Sequence, residues 1–393
     1  MMRQLFSAPR IFTARAGEQE TLVDSAVLVD AEGRIEAIGK TLDLRQKGLS
    51  ETQLDGVLLP GLLDVHTHLC LSASMDPFGD ALAEHPARMT LRAVAALSAH
   101  IDAGVTTIRD VGGLHGIDLE MQHLVDDDSV EGPAVFAAGK LIAMTGGHAC
   151  MLGFEVDGED AVRAAARQNL KDGARLLKII ATGGVLTKGV RPGAQQLSEH
   201  EMRAAVEEAQ KVGKTVAAHA QGADGIDAAL RAGVNTIEHG FWLSDYALER
   251  LCESGRALVP TLAAIRCMER LGEALPESIQ EKLKTVATPH EDSIRRAHAR
   301  GCCVATGTDA GTPGNPHGNI GVELAALHEL GFSPEECWRA ATANGAKALS
   351  LKDRGELCVG KRADLIAISD ENFDGVLESF RPHFVMRGGR RLR

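Results

Sequence analysis

Apolar and polar residues alternate in short runs at both ends of the chain, and the period changes in between. TLVDSAVLVD, the turn-like AEGR and IEAIG read as a hairpin, because a period of two places every second side chain on one face. GELCVGKRADLIAIS and HFVMRGGRRLR repeat that pattern near the other end, with glycine turns between β-rich pieces. Residues 1–58 and 352–393 are therefore expected to pair into a small β-sandwich domain built from both termini.

The middle of the chain alternates strand-like and helix-like segments. Apolar strand candidates are VLLPGLLDVHTHL (in the region 58–70), TTIRDVGG (106–113), AVFAAGKLIA (134–143) and LLKIIATGG (176–184). They continue with TVAAHAQG (215–222), TIEHGFW (236–242), ALVPTLAA (257–264) and CVATGTDAG (303–311). Helical patterns separate most of them. SEHEMRAAVEEAQKVG opens on an S-x-x-E capping box at Ser198 and Glu201, and GADGIDAALRAG stops at Gly233. Eight such units predict an α/β fold with a (β/α)8 TIM barrel over residues 59–351. A doubly wound sheet is the rival, but polar residues at so many strand ends favour closure. Segments 70–90 and 264–300 are expected to add loops or helices above the barrel mouth.

Composition narrows the function more than the fold. A chain of 393 residues with 44% hydrophobic and 24% charged residues suits an ordinary globular protein. Its formal net charge of −12 argues against nucleic acid and anionic membrane as partners, so a small-molecule substrate is expected. No apolar run approaches the ~18 residues of a membrane span, and the first residues lack a secretory core. The eight cysteines are scattered without a CxxC pair, and Cys302 and Cys303 are adjacent. That usage suits reduced thiols and a cytoplasmic location. Whether the chain forms a homo-oligomer is left open.

The chemistry starts in DVHTHL. Alternate residues share a strand face, so Asp64, His66 and His68 point one way, towards the carboxyl-terminal rim where barrel enzymes build their sites. A lone histidine in an apolar strand is more often a hydrogen-bonded core residue. Here His219 (AAHA), His239 (IEHG) and Asp309 (GTDAG) stand at three further strand ends. Such a set of nitrogen and oxygen donors suits zinc or a similar divalent ion. Lys178, in LLKII, is costly to bury charged. A salt bridge, a Schiff base and a carbamate are its three readings, and the surrounding histidines favour a carbamate whose oxygens bridge two metals.

These motifs together resemble the binuclear metal-dependent amidohydrolases, in the imidazolonepropionase-like and prolidase-like branch that includes Xaa-Pro and Xaa-Arg dipeptidases. The similarity runs from VDAEGRIEAIG and LLPGLLDVHTHL through GVTTIRDVGG, LLKIIATGGV, VAAHAQG and TIEHG to GTDAG and GKRADLIAI. It implies that His66, His68 and Asp309 hold the more buried of two ions, probed first as Zn2+, and that His219 and His239 hold the second. Carbamylated Lys178 would bridge them. Asp309 would act as general base and then general acid, and His148, in MTGGHAC, would stabilise the oxyanion. Lys188 and Arg191, in LTKGVRPG, are candidates to receive a substrate carboxylate, and His317, in NPHGN, to line the mouth. One position departs from the peptidases: where several carry tyrosine two residues after the fifth-strand histidine, this chain has Gln221.

The expected activity is hydrolysis of an amide or peptide C–N bond in a small substrate of dipeptide or N-acyl amino acid type. Hydrolysis of a cyclic amide or lactone and deamination on the same fold are the alternatives. Gly222 and Lys178 count against a deaminase, which typically has glutamate three residues after the fifth-strand histidine and lacks the bridging lysine. A metal-free scaffold and a Schiff-base lyase are the readings from other classes.

Overall fold

The computed structural model describes residues 3–15, 20–46 and 49–393. Positions 1–2, 16–19 and 47–48 of the expected terminal domain, and of the stretch read for a secretory core, lie outside the described residues. Strands β1 (Gln4–Phe12), β2 (Thr21–Val29), β3 (Ile35–Lys40), β4 (Ser50–Gln53) and β5 (Val57–Pro60) come first. They join strands from the opposite end of the sequence in one mixed sheet.

The inner strands are β6 (Leu62–Thr67), β7 (Val105–Asp110), β8 (Ala134–Ala137), β9 (Leu141–Ala143) and β10 (Gly153–Glu155). They continue with β11 (Leu176–Ile180), β12 (Thr215–Ala220), β13 (Thr236–His239) and β14 (Ala257–Val259). The order β6-β7-β8 forms one parallel sheet and β10-β9-β11-β12-β13-β14 a second. The chain returns to the terminal sheet with β15 (Leu365–Ile368), β16 (Phe384–Arg387) and β17 (Arg390–Arg391). Its order is β17-β16-β15-β5-β1-β2-β3, with β4 also on β1. Gly388 and Gly389, at φ 55° and 80°, supply the left-handed pair that a two-residue turn between β16 and β17 requires.

Three of the expected strands are built differently. The run 58–70 is two strands in two sheets: β5 pairs with β1 and β15, and β6 pairs with β7. The break falls at Gly61, where any side chain would collide, since a Cβ there would lie 2.3 Å from Thr106 Oγ1. The run 134–143 likewise divides into β8 and β9, with Gly139 at φ 72° between them. Segment 303–311 makes isolated parallel bridges, Val304 to Leu258 and Ala310 to Thr67, instead of a continuous strand. The carboxylate of Asp64 accepts from Thr308 N at 2.9 Å and so takes a donor that a ladder would use.

Alternation explains the layering. Leu177 and Ile179 of β11 pack with helix residues such as Val162 and Met202 in the main core, whereas Leu176 and Ala217 pack on the opposite face. Lys178 is on that opposite face. In β15, Leu365 and Ala367 face the core of the terminal sheet, and Ile366 and Ile368 face the main core. The helix Glu199–Lys211 begins at the expected capping box, both of whose hydrogen bonds form, and the helix Ala223–Ala232 ends at Gly233 in the left-handed region. Each Ser cap of this kind stabilises by ~1 kcal/mol. The segment 264–300 is mostly helical, in Leu262–Leu271 and Glu277–Ala299.

The expectation of eight reduced thiols is corrected: Cys252 and Cys302 are disulfide-bonded. The end of the helix Asp245–Ser254 meets the turn before the bridging segment and brings their Cα atoms to 4.5 Å. A separation of 50 residues gives no cue to that meeting. No helix among the described residues is long and apolar enough to cross a membrane.

Candidate metal centre

The first imidazoles are aimed by an irregularity in β6. Its register with β7 shifts between Asp64 and Thr67, so three steps on β6 match two on β7. Bulges of this kind re-aim side chains next to active sites. His66 and His68 end with ring centroids 5.5 Å apart, and their Nε2 atoms lie 3.5 and 3.4 Å from one oxygen of Asp309. Donor atoms of these three residues all fall within 4.8 Å of one another.

Each ring nitrogen facing away from that point is occupied. His66 Nδ1 donates to Glu238 Oε2 at 2.7 Å, and His68 Nδ1 donates to the carbonyl of Gly112 at 2.7 Å. His239 Nδ1 lies 2.7 Å from Thr261 Oγ1, whose own hydrogen goes to the carbonyl of Pro260 at 2.6 Å. The hydroxyl oxygen therefore accepts from His239. In all three rings the proton is on Nδ1 and the Nε2 lone pair is free, the tautomer a metal ligand needs. His219 stacks close by, 4.5 Å from His239 between ring centroids, with its buried Nε2 unpartnered. Burial holds all four imidazoles neutral: His66, His219 and His239 are pushed well below the usual range, and His68 to about 3.

Lys178 is 2% exposed, and its Nζ has no hydrogen-bond partner among the described residues. Burial pulls its ammonium down to about 8, against the opposing carboxylates of Glu238 and Asp309. An unpaired buried ammonium costs several kcal/mol, so this amine loses its proton more easily than an exposed lysine does. Asp309 is pushed up to about 7 by burial, with Lys178 pulling the other way. Two orphaned donors, four buried imidazoles, three of them in the ligand tautomer, and a buried carboxylate fit a divalent-ion site.

The backbone at this rim is strained. His239, Thr261 and Asp309 have φ of 71°, 56° and 57°, a region that costs a side-chain-bearing residue ~1–3 kcal/mol. Three such residues around one cavity mark where the fold has been bent to a task.

Behind the ligand candidates stands a charge network that sequence reasoning did not single out. Arg109 donates through Nη2 to both Glu238 oxygens, at 2.7 and 2.8 Å, and through Nη1 to Thr236 Oγ1 at 2.9 Å. Both charged groups are fully buried. Asp64 holds Thr308 through two hydrogen bonds and so anchors the backbone next to Asp309, which is a supporting part rather than a ligand's. Glu238 and Arg109 each interrupt an apolar strand with a charge, and their opposite signs were the available signal.

The remaining candidates divide. His66, His68, Lys178, His219, His239 and Asp309 line one cavity, together with His148 and Gln221. His148 sits 4.4 Å from His219 between centroids, and its Nδ1 lies 2.8 Å from Thr187 Oγ1. That hydroxyl oxygen already accepts from Ala149 N at 3.0 Å, so its hydrogen can go to Nδ1, leaving an Nε2–H donor on the cavity side. Lys188 and Arg191 are exposed on the loop after β11 and do not line the cavity. His317 packs against His100, 3.3 Å between ring nitrogens, and is also outside the lining.

Residues 57–392 match the model of the Amidohydrolase family. Ochratoxinase of Aspergillus niger is 29% identical over 395 residues, covering 92% of this chain and 80% of that protein. Its crystal structure superimposes with a TM-score of 0.89 over 100% of this chain and 96% of that one. A Xaa-Pro dipeptidase with methionine bound in its active site gives 0.88 at 29% identity, covering 100% of both chains. Imidazolonepropionase of Deinococcus deserti is 28% identical over 405 residues, 93% of this chain and 91% of that protein.

Proposed function

The chain belongs to the amidohydrolase family and is a hydrolase acting on carbon–nitrogen bonds, and on that premise we propose that it cleaves the amide bond of a small molecule at a binuclear metal centre. The convergence of His66 and His68 Nε2 on one oxygen of Asp309, beside the unpartnered Lys178 amine, carries this reading. His66, His68 and Asp309 would hold one divalent ion and His219 and His239 a second, with Lys178, as a carbamate, between them. Zn2+ suits this nitrogen-rich set. Such ions, when bound, lower the pKa of water to about 7 and polarise a carbonyl.

The protein's own groups do the rest. Asp309 accepts a proton from the attacking water and returns it to the leaving nitrogen. His148 offers its Nε2–H to the oxygen on which charge develops. Glu238 and Arg109 keep His66 in one tautomer while this happens. The apolar wall of the cavity excludes bulk water and strengthens each of these interactions.

The same reading includes a (β/α)8 barrel over residues 59–351. Ala137 O accepts from Arg175 N on one side, and the bridges at Val304 and Ala310 join β14 to β6 on the other, which supports closure. For a sandwich formed by 1–58 and 352–393, the support is that Phe6 and Phe384, on strands two places removed from adjacency, approach to 5.5 Å.

The test is a mass-spectrometric screen of metal-loaded protein against dipeptides, N-acyl amino acids, neutral amides and cyclic amides. Release of an amine from one of these classes is expected. Failure to cleave any of them, with no tightly bound divalent ion in the purified protein, would overturn the proposal. Cleavage of cyclic amides or lactones alone would select the second reading, which the same centre allows.

A further inference from the structure

The cavity's wall says more about the substrate than its centre does. Phe78, Leu152, Val185, Phe241, Ile265 and Met268 are half of its apolar residues, which outnumber the polar ones. Lys178 is the one lysine or arginine among the described residues that line it, and that amine belongs to the proposed metal bridge. The cations expected to meet a carboxylate are elsewhere: Lys188 and Arg191 are exposed, and Lys282 donates to the carbonyls of Val185 and Thr187 at 3.2 and 2.6 Å. A free carboxylate bound against this wall, away from the proposed ions, would lose its hydration without gaining a counter-charge from a side chain.

One polar side chain of the wall is uncommitted. Gln221 is 3% exposed, its backbone N donates to Thr182 Oγ1 at 3.0 Å, and its side-chain Oε1 has no partner. A buried carbonyl oxygen left so at a cavity wall is an acceptor waiting for a donor. It is neutral, so it suits an N–H and brings no counter-charge to an anion.

Resting on the amide-hydrolase reading above, we propose that the substrate is an uncharged secondary amide with apolar groups on both flanks, whose N–H is accepted by Gln221. The groups flanking the scissile bond carry no carboxylate. Gln221 is the residue that selects for the N–H. A tertiary amide, such as the Xaa-Pro bond, offers no such hydrogen.

Two matched pairs test this on the metal-loaded, full-length protein. N-benzoyl-2-phenylethylamine and N-benzoyl-L-phenylalanine differ only in a carboxylate. At least tenfold higher kcat/KM for the uncharged amide is expected, and equal or higher kcat/KM for the acid would overturn the proposal. N-methylation of the uncharged amide should lower kcat/KM about tenfold in the wild type, the order of one lost hydrogen bond. In Gln221→Met that difference should shrink to less than about threefold. An undiminished N-methyl effect in the variant would remove Gln221 from its role. If neither benzoyl amide is cleaved, the substrate inference fails. A dipeptide or cyclic amide cleaved by the same preparation would then leave amide hydrolysis standing, and none cleaved would remove both.

Discussion

Glu238 Oε2 lies 2.7 Å from Nδ1 of His66, so a carboxylate on β13 sets the tautomer of a candidate ligand on β6. The same carboxylate neutralises Arg109, and both charges are fully buried. Replacing Glu238→Gln leaves the guanidinium without a counter-charge in the core. We expect a loss of about 3–5 kcal/mol, the cost of breaking a buried pair. Urea denaturation measures it, and a loss under about 1 kcal/mol would show that Arg109 finds compensation elsewhere.

Lys178→Ala should purify with at least one metal ion fewer per chain than the wild type. Elemental analysis of both proteins decides this independently of activity, and full occupancy in the variant would remove Lys178 from the ligand set. Chelation of the wild type should abolish turnover, with recovery on adding back Zn2+.

Asp309→Asn retains the shape of the side chain but cannot shuttle a proton. Turnover should fall by about 10²–10⁴-fold, the range for removing a general acid–base group, while circular dichroism stays unchanged. Turnover within a few-fold of the wild type would assign the proton transfer to another group.

Away from the site, Glu208 should set part of the acid stability. Its carboxylate meets Arg163 and Arg167, at 2.6 and 3.0 Å, and Lys211 at 2.7 Å, tying the helix Glu159–Lys171 to the helix Glu199–Lys211. The hydrogen bond from Arg167, with those of Lys211 and Arg163, outweighs desolvation and holds the carboxyl down at about 2. A folded-state pKa below the unfolded one stabilises at pH above the unfolded value of 4.5, and that contribution disappears as pH falls towards about 2. Glu208→Gln should therefore be less stable at neutral pH by about 1–2 kcal/mol, discounted because its cationic partners reach solvent. The difference should close between those two pH values. Parallel stability profiles of the two proteins would contradict the assignment.

The candidate ligands stood out as candidates because each interrupts an apolar run, His219 and His239 near strand ends and Lys178 inside one, where such a side chain has no packing reason to be. His66, His68, Lys178, His219, His239 and Asp309 all reach one cavity. Their support was harder to read. Arg109 and Glu238 share no local motif, and only the packing of two different sheets brings β7 and β13 close enough for the pair to meet. Gly61 reads as part of a continuous apolar run, and its role as a boundary depends on Thr106 coming close from another strand. Lys188 and Arg191 were plausible from charge and proximity in sequence alone, but charge carries no information about which way a loop turns. The segment 264–300 was expected above the mouth, but no pattern in its own residues singles out Ile265 and Met268 as the side chains that line the cavity.

The terminal sheet has a consequence for synthesis. Its central neighbours, β5 and β15, come from opposite ends of the sequence, with Leu365 opposite Pro60. A nascent chain that has made β1 to β5 carries an apolar strand with one edge unpaired until β15 leaves the ribosome. Over that interval the edge is a template for wrong pairing, with a neighbouring chain or with itself. Shortening the protein from its carboxyl end as far as β15 would make that interval permanent, and such variants should collect as aggregates even with every residue of the metal centre intact.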